Sequence, residues 1–259
     1  MYMLNEIIKK LGLKELITIY NSKRTYRYDD YEKYVSASEK TFSEEIKEIE
    51  VNWINGNVNI VQDNDGVVSI REENYSNYPL FYYLDGTTLK IEFVENGTNN
   101  FVFNTLNKDL YIGLPTSTTV DIDATLINGN LTSTGEINTN EFNADSVNGN
   151  IDINSISGNH VFVKSVNGNI DLKSINVNSL DVEKVNGNLN INSIEKAVNI
   201  DVDSVNGADT IYVKESLGYE VKINSIGYYS SEYDNAYFYG NKLVNIDYDS
   251  VNGTLSIKK

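Results

Sequence analysis

The sequence predicts an all-β protein, a single-stranded β-solenoid (β-helix) with about 19–20 residues per coil and a short N-terminal helix. Three observations predict this fold: a serial repeat, an alternating apolar pattern and a recurring Asn-Gly pair. The string SVNGNIDINSI at 146–156 returns as SVNGNIDLKSI at 165–175 and as KVNGNLNINSI at 184–194. A repeat this short and regular is typical of coils that stack, each contacting only its neighbours.

Each repeat contains two runs in which apolar and polar residues alternate. Val161, Val163 and Val166 precede one Asn-Gly pair, and Ile170 and Leu172 follow it. A period of two is typical of strands with one buried face, whereas a helix needs apolar residues spaced by three and four. We therefore expect two strands and two corners per coil, with an apolar interior shared between neighbouring coils.

The Asn-Gly pairs predict one corner of each coil. Gly adopts positive φ without a Cβ clash and Asn tolerates left-handed conformations, so we expect positive φ at Gly149, Gly168 and Gly187. The stacked Asn amides are expected to hydrogen-bond along the axis. These pairs are assigned a structural role: Asn128, Gly129, Asn148, Gly149, Asn167, Gly168, Asn186, Gly187, Asn206, Gly207, Asn252 and Gly253.

Residues 1–45 are predicted to form an N-terminal helix and a polar linker, and residues 46–259 the solenoid domain. The helix, over 1–20, either caps the open end of the stack or binds a partner. Residues 46–115 are expected to form irregular coils and hairpins, with a hairpin turn at Asp85-Gly86. Regular coils follow over 116–259. A Tyr-rich insertion at 227–243 interrupts them, and its replacement by a short link should leave a folded solenoid.

Composition excludes several classes of function. The net charge is −16, whereas nucleic-acid binding needs a basic face. With no Cys and one His, His160, we expect no disulfide, no metal site and no cofactor. Asp152 and Asp171 recur at one outward position, which we interpret as a solvated strand face rather than a Ca²⁺ site. No catalytic residues are assigned, and the protein is predicted not to be an enzyme.

Several segments together resemble a known family: IKEIEVNWINGNVNI at 46–60, LDGTTLKIEF at 84–93, KDLYIGLP at 108–115 and the serial VNGNIDI coils. They resemble the bacterial "putative adhesin" β-solenoid family, a domain of unknown function, over about residues 42–259. The resemblance implies a β-solenoid, no established catalysis and a link to adhesion or the cell envelope. The N-terminus lacks the pattern of a signal peptide, which favours a cytoplasmic location, whereas the resemblance implies cell-surface association. No apolar run is long enough for a membrane span.

Six aromatic residues of the insertion are the candidate binding residues: Tyr228, Tyr229, Tyr233, Tyr237, Phe238 and Tyr239. Tyr provides a large contact area at low entropic cost. The alternative is that this segment folds back and covers a coil edge. We predict a non-enzymatic scaffold or interaction protein, adhesin-like, that binds a protein or a cell-envelope glycan. The alternatives are a carbohydrate-binding or carbohydrate-active β-helix protein and a self-assembling structural protein. The expected state is a monomer or an end-to-end oligomer.

Overall fold

The computed structural model describes residues 25–63, 65–73, 78–99, 102, 105–116, 118–225, 228–231, 235–238, 240 and 243–259. In these ranges it contains 20 strands and one 3-10 helix, Tyr31–Lys33. The strands are β1 (Val35–Ala37), β2 (Glu39–Phe42), β3 (Glu48–Asn55), β4 (Val58–Asp63), β5 (Val68–Glu73), β6 (Leu80–Asp85), β7 (Thr88–Glu92), β8 (Asp109–Pro115), β9 (Asp121–Asn128), β10 (Leu131–Asn148), β11 (Ile151–Asn167), β12 (Ile170–Leu172), β13 (Ile175–Asn176), β14 (Ser179–Asn186), β15 (Leu189–Ile191), β16 (Asn199–Tyr212), β17 (Gly218–Ser225), β18 (Tyr229–Ser231), β19 (Ala236–Tyr237) and β20 (Leu243–Lys258). The all-β prediction is confirmed, while the helix predicted over 1–20 lies outside the described residues.

Successive repeats lie side by side as parallel strands offset by one repeat. Asn148 pairs with Asn128 on one side and Asn167 on the other. We call the sheet formed by the segments before the Asn-Gly pairs face A, and the sheet formed by those after them face B. Face A has the order β1-β6-β7-β3-β9-β10-β11-β14-β16-β20-β17-β19. Face B has the order β2-β5-β8-β4-β10-β11-β12-β15-β16-β20-β18. The long strands turn a corner and contribute to both, which gives a β-solenoid-like repeat.

The two faces enclose one hydrophobic core. Ile151 and Ile153 on face B and Val161 and Val163 on face A are at most 1% exposed. They belong to one core cluster that extends along the stack. Burying such a side chain stabilises the fold by about 1.5–3 kcal/mol relative to leaving it exposed. The apolar residues that recur with a period of two in the sequence are therefore the inward-facing side chains of each strand.

The first coil of the chain is internal to the stack. β3 and β4, joined by Asn55-Gly56, lie between β7 and β9 on face A and between β8 and β10 on face B. Beyond them, both faces end in antiparallel strands, β6 and β1 on face A and β5 and β2 on face B. The Asp85-Gly86 hairpin is confirmed, with Gly86 at φ 65°.

Part of the predicted linker is strand. β1 and β2 lie within residues 1–45, and the residues between 35 and 42 pair with β6 and β5. The sequence hid them because an edge strand has one neighbour and is largely exposed, so it needs little apolar alternation. Only Phe42 among them is buried.

The last strand of the chain is also internal. β20 lies between β16 and β17, and β17 runs parallel to it, with Gly218 opposite Leu243 and Ser225 opposite Ser250. Two parallel neighbouring strands need a connection that returns along their length. Here the chain must cross about 23 Å from the end of β17 to the start of β20. Residues 227–243 therefore form the crossover between β17 and β20, and the prediction that a short link can replace them requires a link of at least about seven extended residues.

Candidate functional site

The Asn-Gly corners form a ladder of side-chain amides. Each Nδ2 donates to the Oδ1 of the preceding coil at 2.8–3.2 Å. The ladder comprises Asn55, Asn128, Asn148, Asn167, Asn186, Asn206 and Asn252. The predicted stacking of amides is confirmed. Because these groups satisfy one another, the arrangement is that of a structural element rather than a ligand site.

A second ladder, which the sequence interpretation missed, uses the Asn that follows each Gly. Its Oδ1 accepts a hydrogen bond from the backbone N–H one coil further along, as Asn150 does from Asn169 at 2.9 Å and Asn169 from Asn188 at 2.9 Å. The signal was the third residue of the recurring Asn-Gly-Asn string. It supplies a partner for a corner N–H that would otherwise be unpaired.

The corner glycines are required for close approach as much as for conformation. Gly149 and Gly187 have φ of 151° and 131°, whereas Gly168 is not among the residues with positive φ, so that part of the prediction is wrong. A Cβ built on Gly168 would nevertheless lie 1.9 Å from the carbonyl oxygen of Gly149. Stacking of one backbone on the next therefore excludes a side chain here, whatever the dihedral angles.

The Tyr-rich segment partly covers the end of the stack. Tyr229 pairs with Leu255 on face B, and Tyr237 pairs with Tyr219 on β17. Both are half-buried against the core, in keeping with the interpretation that this segment covers a coil edge. Tyr228 and Phe238 are each 69% exposed and keep free contact area. The two remaining candidates, Tyr233 and Tyr239, lie outside the described residues.

The carboxylate columns carry their own counter-ions. Asp152 and Asp171 are in register on β11 and β12, and Lys173 lies 2.8 Å from Asp152. His160, on β11, contacts Asp181 at 2.8 Å. Among the described residues, no group of three or more His, Cys, Asp and Glu side chains is placed to hold a metal ion.

A cavity of about 440 Å³ lies on the outer surface of face A, near the N-terminal end of the stack. Its floor is formed by outward residues of β3, β6, β7 and β9, which alternate with buried core residues. Its wall is the segment 26–34, which the sequence predicted to be linker. The residues that line the cavity include Tyr26, Arg27, Tyr28, Asp29, Asp30, Tyr34, Glu50, Asn52, Tyr83, Lys90 and Glu92.

Backbone pairing holds the wall in place. The N–H of Tyr26 donates to the carbonyl of Thr98 at 2.8 Å, and the N–H of Gly97 donates to the carbonyl of Tyr26 at 2.7 Å. The N–H of Tyr28 donates to Oδ1 of Asn96 at 3.1 Å, and the N–H of Asn96 donates to the Tyr28 hydroxyl at 3.0 Å. The wall is thus fixed by bonds at alternate residues, as in a short strand.

Four tyrosine rings follow one another along the cavity. The ring centroids of Tyr26 and Tyr28 are 5.7 Å apart, those of Tyr28 and Tyr34 4.7 Å, and those of Tyr34 and Tyr83 5.6 Å. The interplanar angles are 65°, 59° and 53°, so the rings are tilted against one another rather than coplanar. Burial raises the pKa of Tyr28 to about 12, so this hydroxyl stays protonated at neutral pH.

Glu92 lies behind the wall. Its carboxylate accepts hydrogen bonds from the Tyr26 hydroxyl at 2.6 Å and from Nδ2 of Asn52 at 2.8 Å. Burial raises its pKa from 4.5 to about 7, although the two hydrogen bonds act in the opposite direction. Burial and the neighbouring Glu92 raise the pKa of Tyr26 well above its usual value. Behind the wall there is thus a buried carboxyl group whose pKa is raised to about 7.

The sequence interpretation missed this site because its parts are distant in the chain. Tyr26, Tyr28 and Tyr34 lie in a segment without apolar alternation, while Tyr83 and Glu92 lie on a hairpin. The available signal was the spacing of two between Tyr26 and Tyr28, which is the period of a strand.

The protein is thus a β-solenoid-like repeat of stacked coils with a tyrosine-lined cavity on one face. The chain belongs to the Toastrack DUF4097 family, whose model matches residues 46–208 and, in a second match, 128–247. The resemblance to a family of unknown function inferred from the sequence is thereby confirmed.

Three solved structures are similar to this chain. A "putative cell adhesion protein" from Clostridium sporogenes is 17% identical, with a TM-score of 0.40 and coverage of 85% of this chain and 98% of the other. A "putative adhesin" from Bacteroides fragilis is 14% identical, with a TM-score of 0.46 and coverage of 87% and 96%. Another from Parabacteroides distasonis is 10% identical, with a TM-score of 0.37 and coverage of 87% and 97%.

No curated protein matches the chain. In the part of the chain that the structure describes, no helix is long and apolar enough to cross a membrane.

Proposed function

We propose that this protein is a non-enzymatic scaffold that binds its partner through the tyrosine-lined cavity on face A. The cavity itself carries the proposal: about 440 Å³ lies within the range of small-molecule sites, and its lining combines aromatic rings with a few polar groups. In this proposal the single-stranded solenoid, with coils of about 19–20 residues, is the rigid support of the site.

The support for a binding role is rigidity. Glu50 and Asn52 on β3 and Lys90 and Glu92 on β7 are held by parallel pairing of the two strands. Their neighbours Ile49 and Leu89 are fully buried. A site on packed strands keeps its geometry better than one on loops, and pre-organisation lowers the entropic cost of binding.

The environment of Glu92 favours binding over catalysis. A pKa near 7 would suit a general acid, and Glu50 lies on the neighbouring strand. Glu92, however, is 4% exposed, and both of its oxygens accept hydrogen bonds from the protein. Glu50 is 3.2 Å from Lys90. A general acid must reach the substrate, which a carboxyl group covered by Tyr26 does not.

An adhesin-like role at the cell surface, with a protein or a cell-envelope glycan as partner, belongs to the same proposal. The sequence resemblance supports it, and the cavity supplies a place for such a contact.

Capture of cell-envelope components by the purified protein tests the proposed function. Tyr34→Ser removes the ring that contacts both Tyr28 and Tyr83. This variant should no longer capture the components that the wild-type protein captures. Tyr212→Ser is the matched control, because it removes a tyrosine ring that is 38% exposed and lies on β16, outside the cavity. Equal loss in both variants, or turnover of the captured component, would contradict the proposal.

The exposed end of the Tyr-rich segment supports a second contact surface. Tyr228 and Phe238 leave large apolar area in solvent, and aromatic residues dominate the energetics of protein interfaces. The double variant Tyr228→Ser, Phe238→Ser should lower the affinity for a protein partner and leave binding at the cavity unchanged.

A further inference from the structure

The tyrosine rings of the cavity form walls rather than a platform. Consecutive rings from Tyr26 through Tyr28 and Tyr34 to Tyr83 are tilted by 53–65°. A flat ligand that stacks needs one open ring face, whereas a compact cationic group is attracted by several rings placed around it. The geometry therefore favours a compact ligand with positive charge.

The charge of the lining agrees with this. Four carboxylates line the cavity, those of Asp29, Asp30, Glu50 and Glu92, against the two cations Arg27 and Lys90. Two of these carboxylates have cations of their own, since Glu50 lies 3.2 Å from Lys90 and Asp30 lies 3.2 Å from Lys33, so Asp29 is the exposed carboxylate left to face a ligand. The whole protein carries a net charge of −16, which raises the local concentration of cations at its surface.

The chain already places one of its own ammonium groups against these rings. Nζ of Lys33 lies 5.4 Å from the centroid of the Tyr83 ring and 3.2 Å from a carboxylate oxygen of Asp30. At the exposed rim, an ammonium group thus lies between a tyrosine ring and a carboxylate. The interior of the cavity offers a cation the same two kinds of partner.

Glu92 strengthens the wall through Tyr26. The hydroxyl of Tyr26 donates a short bond of 2.6 Å to the carboxylate. When Glu92 is ionised, donation to its carboxylate polarises the Tyr26 hydroxyl, and the phenol ring becomes more electron-rich. A carboxylate behind one ring therefore increases the attraction of that ring for a cation without contacting the ligand itself.

We propose that the cavity binds an organic cation, specifically an alkylammonium group, against the row of rings formed by Tyr26, Tyr28, Tyr34 and Tyr83. The inference rests on the proposed function, in that it takes this cavity as the binding site. Asp29 is the exposed carboxylate at its mouth, and Glu92 is a positioning residue that acts through Tyr26.

Calorimetric titration of the full chain with choline and with 3,3-dimethylbutan-1-ol tests the ligand class. The two probes have the same shape, and only choline is charged. Choline should bind about tenfold more tightly than the neutral alcohol, the factor that a single cation–π contact supplies. Affinity for choline should fall with added salt and affinity for the alcohol should not.

Three variants locate the site. Tyr34→Leu should lose about tenfold in choline affinity, while Tyr34→Phe should retain it, because the ring and not the hydroxyl makes the contact. Asp29→Lys, at an exposed position that is safe for folding, should weaken choline several-fold and leave the alcohol unchanged. Tyr212→Leu, on β16 and outside the cavity lining, is the control and should change neither.

The outcomes separate the inference from the function on which it rests. If choline and the alcohol bind equally, the cation inference is wrong and the cavity is still the site. The same conclusion follows if choline does not bind while a neutral saccharide binds to the wild type and not to Tyr34→Leu. If no probe binds and envelope capture is insensitive to Tyr34→Ser, both fail.

Discussion

Replacing Gly168 by Ala tests whether the coils are held together by backbone approach at the corner. A Cβ at this position would lie 1.9 Å from the carbonyl oxygen of Gly149, where an ordinary contact begins at 3.4 Å. The two coils would have to separate locally by about 1.5 Å. Hydrogen bonds that cross this junction next to Gly168 include Gly149 N–H to the Asn167 carbonyl at 3.0 Å, the Asn167 amide to Asn148 at 3.0 Å, and Asn169 N–H to Asn150 at 2.9 Å.

Each of these bonds contributes about 1 kcal/mol net, so their loss should lower the free energy of unfolding by about 3 kcal/mol. The control is Gly86→Ala. Gly86 has φ 65° and no atom within 4 Å of a built Cβ, so only backbone strain of about 1 kcal/mol is expected. Urea unfolding followed by circular dichroism measures both. A Gly168→Ala variant no less stable than Gly86→Ala would refute the close-approach argument.

Further substitutions test two buried ionisable groups, Lys184 and Glu92, and the amide ladder. Lys184→Met should destabilise by about 3–5 kcal/mol, because it leaves the buried carboxylate of Asp209, 2.9 Å away, without its cation. The double variant Lys184→Met, Asp209→Asn should recover most of this, since Asn is neutral and keeps polar atoms near Leu189 N–H and the Tyr248 hydroxyl, from which Asp209 accepts hydrogen bonds at 2.8 and 2.9 Å. Glu92→Gln should gain stability relative to wild type as pH rises from about 4.5 to 7, by about 3 kcal/mol in total. Asn167→Ala, which breaks two ladder bonds, should cost about 1–2 kcal/mol, and Asn252→Ala, which breaks one, about half as much.

The sign for Glu92 follows from burial. The folded state binds the Glu92 proton more tightly than the unfolded chain, so wild type is most stable with Glu92 protonated and loses this contribution as the carboxyl ionises. The Gln variant does not titrate. Thermal melting of both proteins between pH 4 and pH 8.5 reports the difference, and parallel melting curves across this range would contradict a raised pKa. For Lys184, a double variant as unstable as Lys184→Met would show that packing, and not the unpaired carboxylate, is responsible.

The regular coils were predictable because their stabilising contacts repeat in the sequence. Each coil repeats the same local pattern in the sequence, namely apolar alternation, as around Val161 and Val163, and an Asn-Gly corner. The amide ladder was predictable for the same reason. The positive φ expected at Gly168 was wrong because the close approach of the backbone, and not its dihedral angle, excludes a side chain there.

Features that depend on pairing order were not predictable. The insertion of β20 between β16 and β17 leaves no local pattern, because a parallel strand looks the same whichever neighbour it has. The buried ion pairs join distant parts of the chain: Lys108, just before β8, pairs with Glu72 on β5, and Lys184 on β14 pairs with Asp209 on β16. The cavity depends on a wall at residues 26–34 that pairs with residues 96–98. None of these contacts is local in sequence.

A crystal structure of the protein with choline tests the central claim most directly. The proposal predicts electron density for the trimethylammonium group in the cavity, with its nitrogen within about 6 Å of the centroids of at least two of the rings of Tyr26, Tyr28, Tyr34 and Tyr83. A crystal in which choline lies elsewhere, or in which the four rings close on one another and fill the cavity, would contradict it.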